Sequence, residues 1–136
     1  MAKSHSRKAT FHLDNAAGSL IDITAYCDGA NLSDQVASDQ VTVLGQNAHT
    51  YLEGLAGTTV QLSGPLDGVL YTQLAAIRQS DATRSIQYRP FGAGVGLPQI
   101  TAESYLSAFS INAAVGGPVT FSATLTCTGA VTYGAQ

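Results

Sequence analysis

The stretch from Val119 to Tyr133 reads V-T-F-S-A-T-L-T-C-T-G-A-V-T-Y. Thr or Ser stands at 120, 122, 124, 126, 128 and 132, while Val119, Phe121, Ala123, Leu125, Cys127, Val131 and Tyr133 form the opposite set. A strand turns successive side chains to opposite faces, so this period of two puts one set on a core and the other in water. Strict alternation belongs to an antiparallel sheet with one wet face. Here the wet face carries hydroxyls instead of charges. It reads as a surface that something passes without sticking.

The same shortage of charge runs through the whole chain. Charged residues make up 11% of it, against about 25% in an ordinary soluble domain. Ser and Thr together number 26, and Asp, Glu, Lys and Arg only 15. A surface this poor in charge tends to associate with itself. The composition therefore predicts a subunit of an assembly, and 136 residues fit one domain with a sizeable core.

The charges are also sorted along the chain. Lys3, Arg7 and Lys8 fall in the first eight residues, and beyond them three arginines face nine acids. An acidic body gains nothing from counterion release and repels nucleic acid. The basic N-terminus has two readings, a contact arm for DNA, a membrane or a neighbour's acidic patch, or a solubilising tail. No apolar run approaches the roughly 18 residues that span a bilayer. The opening M-A-K-S-H-S-R-K lacks the apolar segment of a secretory signal, which predicts assembly in a cytosol. Cys27 and Cys127 are then expected as small core residues; a long-range disulfide between them is the other reading.

Turn residues and periodicity divide the chain. Residues 1–9 read as a flexible arm and 10–136 as a single β-sandwich domain. Strands are predicted over 10–13, 20–26, 40–44, 48–53, 58–63, 85–91, 100–112 and 119–133. Residues 27–39 form the longest polar stretch, a loop expected to be functional or simply solvated. Its acids lack the every-second-residue ladder of a calcium loop. A helix is predicted over 65–79, where Pro65 suits a first turn and Leu66, Leu70, Leu74 and Ile77 make one apolar stripe. The Gly-rich run from Phe91 to Pro98 has neither the following helix nor the Lys of a phosphate loop, and reads as a hairpin tip.

Catalytic signals are missing. His5, His12 and His49 have no partners at metal-ligand spacing, and no nucleophile elbow occurs. Glu53 and Glu103 are the only glutamates; a glycosidase-type pair is conceivable but nothing in their spacing requires it. No catalytic residue, metal or cofactor is expected.

Three blocks resemble a known family. Thr42-Val43-Leu44-Gly45, Tyr51-Leu52-Glu53-Gly54-Leu55 and Val60-Gln61-Leu62-Ser63-Gly64 with Asp67 are similar to the central block of tail tube proteins of long-tailed, siphovirus-like bacteriophages. Tyr105 to Ser110, Ala114-Val115-Gly116, Pro118 to Ala123 and Thr128 to Thr132 resemble their closing hairpin, and Asp14 to Gly18 with Asp22 to Tyr26 their opening. The resemblance implies an antiparallel β-sandwich or partial barrel with one flanking helix, which contributes strands to a large inter-subunit barrel. It implies a structural virion protein, assembled in the bacterial host cytoplasm, whose hexameric rings stack into a hollow tail tube. Implied partners are other copies, a tape measure protein, tail terminator and distal tail proteins, and double-stranded DNA in transit without specific binding; no membrane is involved. Thr120, Ser122, Thr124, Thr126, Thr128 and Thr132 are then expected to line the lumen, the outside of the tube being the alternative. Lys3, Arg7, Lys8, Asp28, Asn31, Asp34 and Asp39 are expected at contacts between rings or subunits. A carbohydrate-binding or adhesive β-sandwich module is the alternative function, and a small hydrolase acting through Glu53 or Glu103 a third.

Overall fold

The computed structural model describes residues 6–78 and 82–136. Its strands are β1 (Thr10–Asp14), β2 (Leu20–Asp22), β3 (Gly29–Gln40), β4 (Tyr51–Pro65), β5 (Arg84–Arg89), β6 (Pro98–Asn112) and β7 (Thr120–Ala135), and α1 (Gly68–Ile77) is the α-helix among the described residues. All strand pairs are antiparallel, in one seven-stranded sheet ordered β2-β1-β5-β6-β7-β4-β3. The sheet does not close, so β2 and β3 are its edges. It nevertheless wraps one core. Phe11 and Leu13 of β1, Ile86 of β5, Ala123 and Leu125 of β7, Val60 and Leu62 of β4, and Leu70, Leu74 and Ile77 of α1 belong to a single buried cluster.

The alternation of β7 is realised from Thr120 to Leu125, while Val119 and Tyr133 of the expected core-facing set are exposed. Phe121, Ala123 and Leu125 are buried, while Ser122, Thr128 and Thr132 are exposed. In α1, Leu70, Leu74 and Ile77 are the buried stripe. The helix begins later than the sequence predicts, because Pro65 still pairs with Thr120 at the end of β4 and the Leu66 amide donates to the Val119 carbonyl. Asp67 then caps it, its carboxylate accepting from the Val69 amide at 2.8 Å, as an N-cap residue should. The strand expected over 20–26 stops at Asp22, whose carboxylate accepts from the amide and hydroxyl of Thr24 and starts a short 3-10 turn, Thr24–Tyr26.

The largest departure lies between residues 27 and 57. The expected loop over 27–39 is instead most of β3, paired with β4 from Gly29↔Ser63 to Gln40↔Tyr51. The strands expected over 40–44 and 48–53 are displaced: 41–50 is the connection between β3 and β4, and its apolar residues are exposed because no core lies beneath them. Ladder hydrogen bonds to β4 satisfy the polar backbone of 29–40, so a poor apolar pattern does not prevent a strand.

Candidate functional site

The geometry of interest begins where the sheet forks. β4 pairs with β7 only from Pro65↔Thr120 to Thr59↔Thr126. Past that point β7 continues alongside β6 to Pro98↔Ala135, and β4 continues with β3 as a two-stranded arm. The arm, residues 35–57, is exposed except at half-buried Thr42. A two-stranded ribbon is marginal in water by itself.

This arm carries apolar side chains into solvent. Val36, Tyr51 and Leu52 are each about half exposed, Leu55 is 91% exposed and Leu44 at the tip is fully exposed. Val36 and its partner Ala56 continue the inward face of Leu32, Val60 and Leu62 beyond the point where the core ends, and past the irregularity Leu52 stands opposite Asp39. Exposed apolar surface of this extent marks a contact site.

Backbone groups are left open too. β3 has a partner on one side only. β5 covers β6 only from Ile100 to Ser104, so 105–112 lacks a strand on that side among the described residues. Unpaired edges of this length are templates for strand addition from another chain.

The hydroxyl face lies on the other side of β7. The register places Thr132 beside Thr101, Thr126 between Thr59 and Tyr105, Thr124 between Gln61 and Ala108, and Ser122 between Ser63 and Ser110. The Thr126 hydroxyl donates to Ser107 Oγ at 2.9 Å, and Ser107 donates to the Thr124 carbonyl at 3.0 Å. Neutral hydroxyls and amides thus run across three strands. Glu103, opposite Thr128, supplies a carboxylate, and its oxygens accept from Thr83 at 2.9 Å and Ser85 at 2.6 Å. The acidity of the chain is therefore largely elsewhere.

The expected contact residues separate into two groups. Lys3 lies outside the described residues; Arg7 and Lys8 are exposed in a short 3-10 turn, Ser6–Lys8. Asp28, Asn31, Asp34 and Asp39 all fall on or just before the edge strand β3. Asp28 accepts from the Ser63 hydroxyl at 3.2 Å, Asn31 is exposed opposite Gln61, and Asp39 is exposed opposite Leu52. Asp34 is engaged within the chain. It accepts from Thr58 Oγ1 at 3.1 Å and from the Tyr133 phenol at 2.5 Å. That bond holds the phenol in its neutral form, pushing Tyr133 up to about 12. Arg7 and Asp28 also border a cavity of about 490 Å³ with Phe11, Cys27, Ala30 and Tyr88, where the start of β3 approaches β1. Burial pushes the Cys27 thiol up to about 11, and both cysteines are free.

Other candidate chemistries find less support. Glu53 is out on the arm opposite Ser38, while Glu103 is on β6. The exposed tyrosines 51, 71, 105 and 133 lie on four different elements and make no shared aromatic surface. Sequence reasoning missed the arm, with Val36, Leu52 and Leu55, and missed Tyr133 as a partner of Asp34. The available signal was that apolar residues continue from Leu62 and Val60 back to Ala56, Leu55 and Leu52, further than the body needs.

No family model matches this sequence, and no curated protein does. Solved structures do match. A chain of the virion of a native gene transfer agent particle superposes with a TM-score of 0.81 at 14% identity, over 98% of this chain and 100% of that one. A chain from the tail of an empty gene transfer agent particle with C6 symmetry gives 0.79 at 13%, over 98% and 100%. The SPP1 tail tube gives 0.75 at 10%, over 98% of this chain and 80% of that one. The arm, the open edges and the forked sheet thus belong to a chain with the fold of tail tube subunits.

Proposed function

We propose that this chain is a structural virion protein, the subunit of a phage-like tail tube, in which six copies close into a ring and rings stack into a hollow cylinder. The observation that carries the reading is the pair of open edges. The segment β3-β4-β7-β6 is a ribbon of long strands, and among the described residues no strand pairs with β3 on one side or with 105–112 of β6 on the other. Copies joined edge to edge form a barrel with no exposed edge, and a barrel of that many strands encloses a water-filled channel. The end-to-end likeness to a chain from a C6 tail supports six as the number of copies.

In this arrangement the Thr and Ser face of β7 lines the bore. A cationic wall gains counterion-release energy from DNA and retains it, whereas a hydroxyl wall offers no such gain. Passage of double-stranded DNA depends on this neutrality more than on a wall of negative charge. The apolar arm docks on a neighbouring copy, with β3, Arg7 and Lys8 close to the contacts. A tape measure protein fills the bore before ejection, and tail terminator and distal tail proteins close the ends. The protein assembles in the bacterial host cytoplasm, resides in the virion tail and performs no catalysis.

Electron microscopy of the purified full-length protein, alone and with tail components, tests the reading. Rings or tubes with a central channel are expected. A monodisperse monomer under both conditions overturns it.

A further inference from the structure

Asp34 occupies an unusual place. It lies on the inward side of β3, in register with Thr58 of β4, and Thr58 is the first residue past the last β4–β7 pair, Thr59↔Thr126. Asp34 is therefore at the crotch of the fork. Its two carboxylate oxygens are divided between the two prongs. One accepts from Thr58 on the β4 prong at 3.1 Å, and the other from Tyr133 on the β7 prong at 2.5 Å. Thr58 is only 5% exposed, so its side of the bond is held within the body. Tyr133 is 56% exposed and reaches Asp34 across 99 residues of chain.

The ladder itself cannot fix the direction of the arm. Beyond Thr59 no β4–β7 hydrogen bonds remain, and β3 has an irregularity between Val36 and Ser38 just beyond the fork, where irregular pairing bends and twists a ribbon. An arm attached through such a joint samples many directions unless something spans the gap. The Tyr133–Asp34 bond spans it. A hydrogen bond to an ionised acceptor is shorter and stronger than a neutral one. Its cost is visible in the phenol, whose ionisation beside the carboxylate is disfavoured.

We infer that Asp34 and Tyr133 are positioning residues, a latch across the fork that aims the β3–β4 arm before it meets another copy and so sets the rate of tube growth. This rests on the tube reading only for its second half; the aiming of the arm is a property of the single chain. Preorganising a docking element lowers the ordering cost of association. The latch touches no partner. Its loss slows growth because fewer subunits present the arm in the competent direction.

The test uses full-length Tyr133→Phe, which removes one hydroxyl, Asp34→Ala, which removes both acceptors, and the double variant. Amide hydrogen exchange of the unpolymerised subunit is read over 36–57, with α1 and β6 as internal controls. Exchange in the arm is expected to rise about fivefold in Tyr133→Phe, the population change that accompanies one net hydrogen bond, with the controls unchanged. Tube growth followed by light scattering is expected to slow by a similar factor, and the double variant to be no slower than Asp34→Ala. Unchanged arm exchange in both single variants overturns the latch. So does a double variant whose slowing is the product of the two singles, because that separates the two residues. Slower growth with unchanged exchange also overturns it and makes Tyr133 an interface residue. If wild-type protein forms no tubes, the functional reading fails while exchange still decides the latch.

Discussion

Placing Lys at both Thr124 and Thr126 tests which face meets DNA. Both threonines are half-buried between uncharged neighbours, Gln61 and Ala108 for one, Thr59 and Tyr105 for the other. Their side chains point away from the cluster that holds Ala123 and Leu125. The fold therefore loses strand preference, at most about 1 kcal/mol per site, and the Thr126–Ser107 hydrogen bond, about 0.5–1.5 kcal/mol, against a total stability of about 5–15 kcal/mol. The electrostatic change is far larger, since every copy in a ring presents two new cations. If a ring engages about 6–10 phosphates, affinity for DNA falls by about 10³–10⁵ between roughly 50 and 200 mM salt. Purified tubes of the double variant are incubated with short duplex DNA at low salt and then treated with nuclease. Retention of protected DNA is expected, released as salt rises, with none on wild-type tubes. Tubes that bind DNA in a nuclease-sensitive form place this face on the outside and refute the lumen assignment.

Three further outcomes are expected. Leu44→Asp together with Leu55→Asp should abolish tube growth while leaving the melting temperature within about 2 °C, because exposed sites away from the core change stability by about 0.5 kcal/mol or less; tubes at the wild-type rate would show that the arm docks on nothing. Gly64→Ala should destabilise by about 1–3 kcal/mol, because its new Cβ would sit 2.6 Å from the Tyr26 carbonyl oxygen, with backbone of Cys27 and Asp28 also close; a denaturant midpoint equal to wild type would refute the close approach. In a spectrophotometric titration, one tyrosine should ionise late, near pH 12, and Tyr133→Phe should remove that step. The folded value lies above the unfolded one of about 10, so the stabilisation is complete below pH 10 and is lost as pH rises through 12; an unchanged titration in the variant would refute the Asp34 bond.

Much of this architecture was legible because some segments obey one rule at a time. β7 alternates without interruption from Thr120 to Thr128, and α1 carries a single stripe, so periodicity alone located both. β3 was hidden by one residue. Ala30, Leu32 and Val36 are an inward set with Asp34 in the middle. An acid on an inward position reads as a loop until its two hydroxyl donors are known, and one of them lies 99 residues away. Gly54-Leu55-Ala56-Gly57 reads as a turn for a similar reason. β4 continues through it with one extra residue opposite Ala37, and Gly54 is required because a Cβ there would lie 2.9 Å from the Cβ of Ala37. Such a glycine answers to a neighbouring strand that local sequence does not reveal. The neutrality of the hydroxyl face was visible in β7, but the positions of the acids were not, because those depend on register across strands.

The two open edges differ in charge, and that difference bears on how copies join. Asp28 and Asp39 accompany β3, with Asp34 engaged within the chain, whereas residues 105–112 of β6, Y-L-S-A-F-S-I-N, contain no charged side chain. Two β3 edges brought together would set acids against acids, and like charges in register oppose strand pairing. β3 against the neutral stretch of β6 meets no such penalty. The first arrangement is a two-fold dimer that consumes one edge from each copy and stops. The second is head-to-tail, and a head-to-tail contact propagates until it closes a ring. Under the proposed tube reading, the acids of β3 would disfavour the dead-end pair and favour the ring that covers both edges. The exposed apolar residues of the arm follow the same logic. They lie past the last β4–β7 pair, so in the proposed ring they would stay in solvent and find cover against a further copy beyond it.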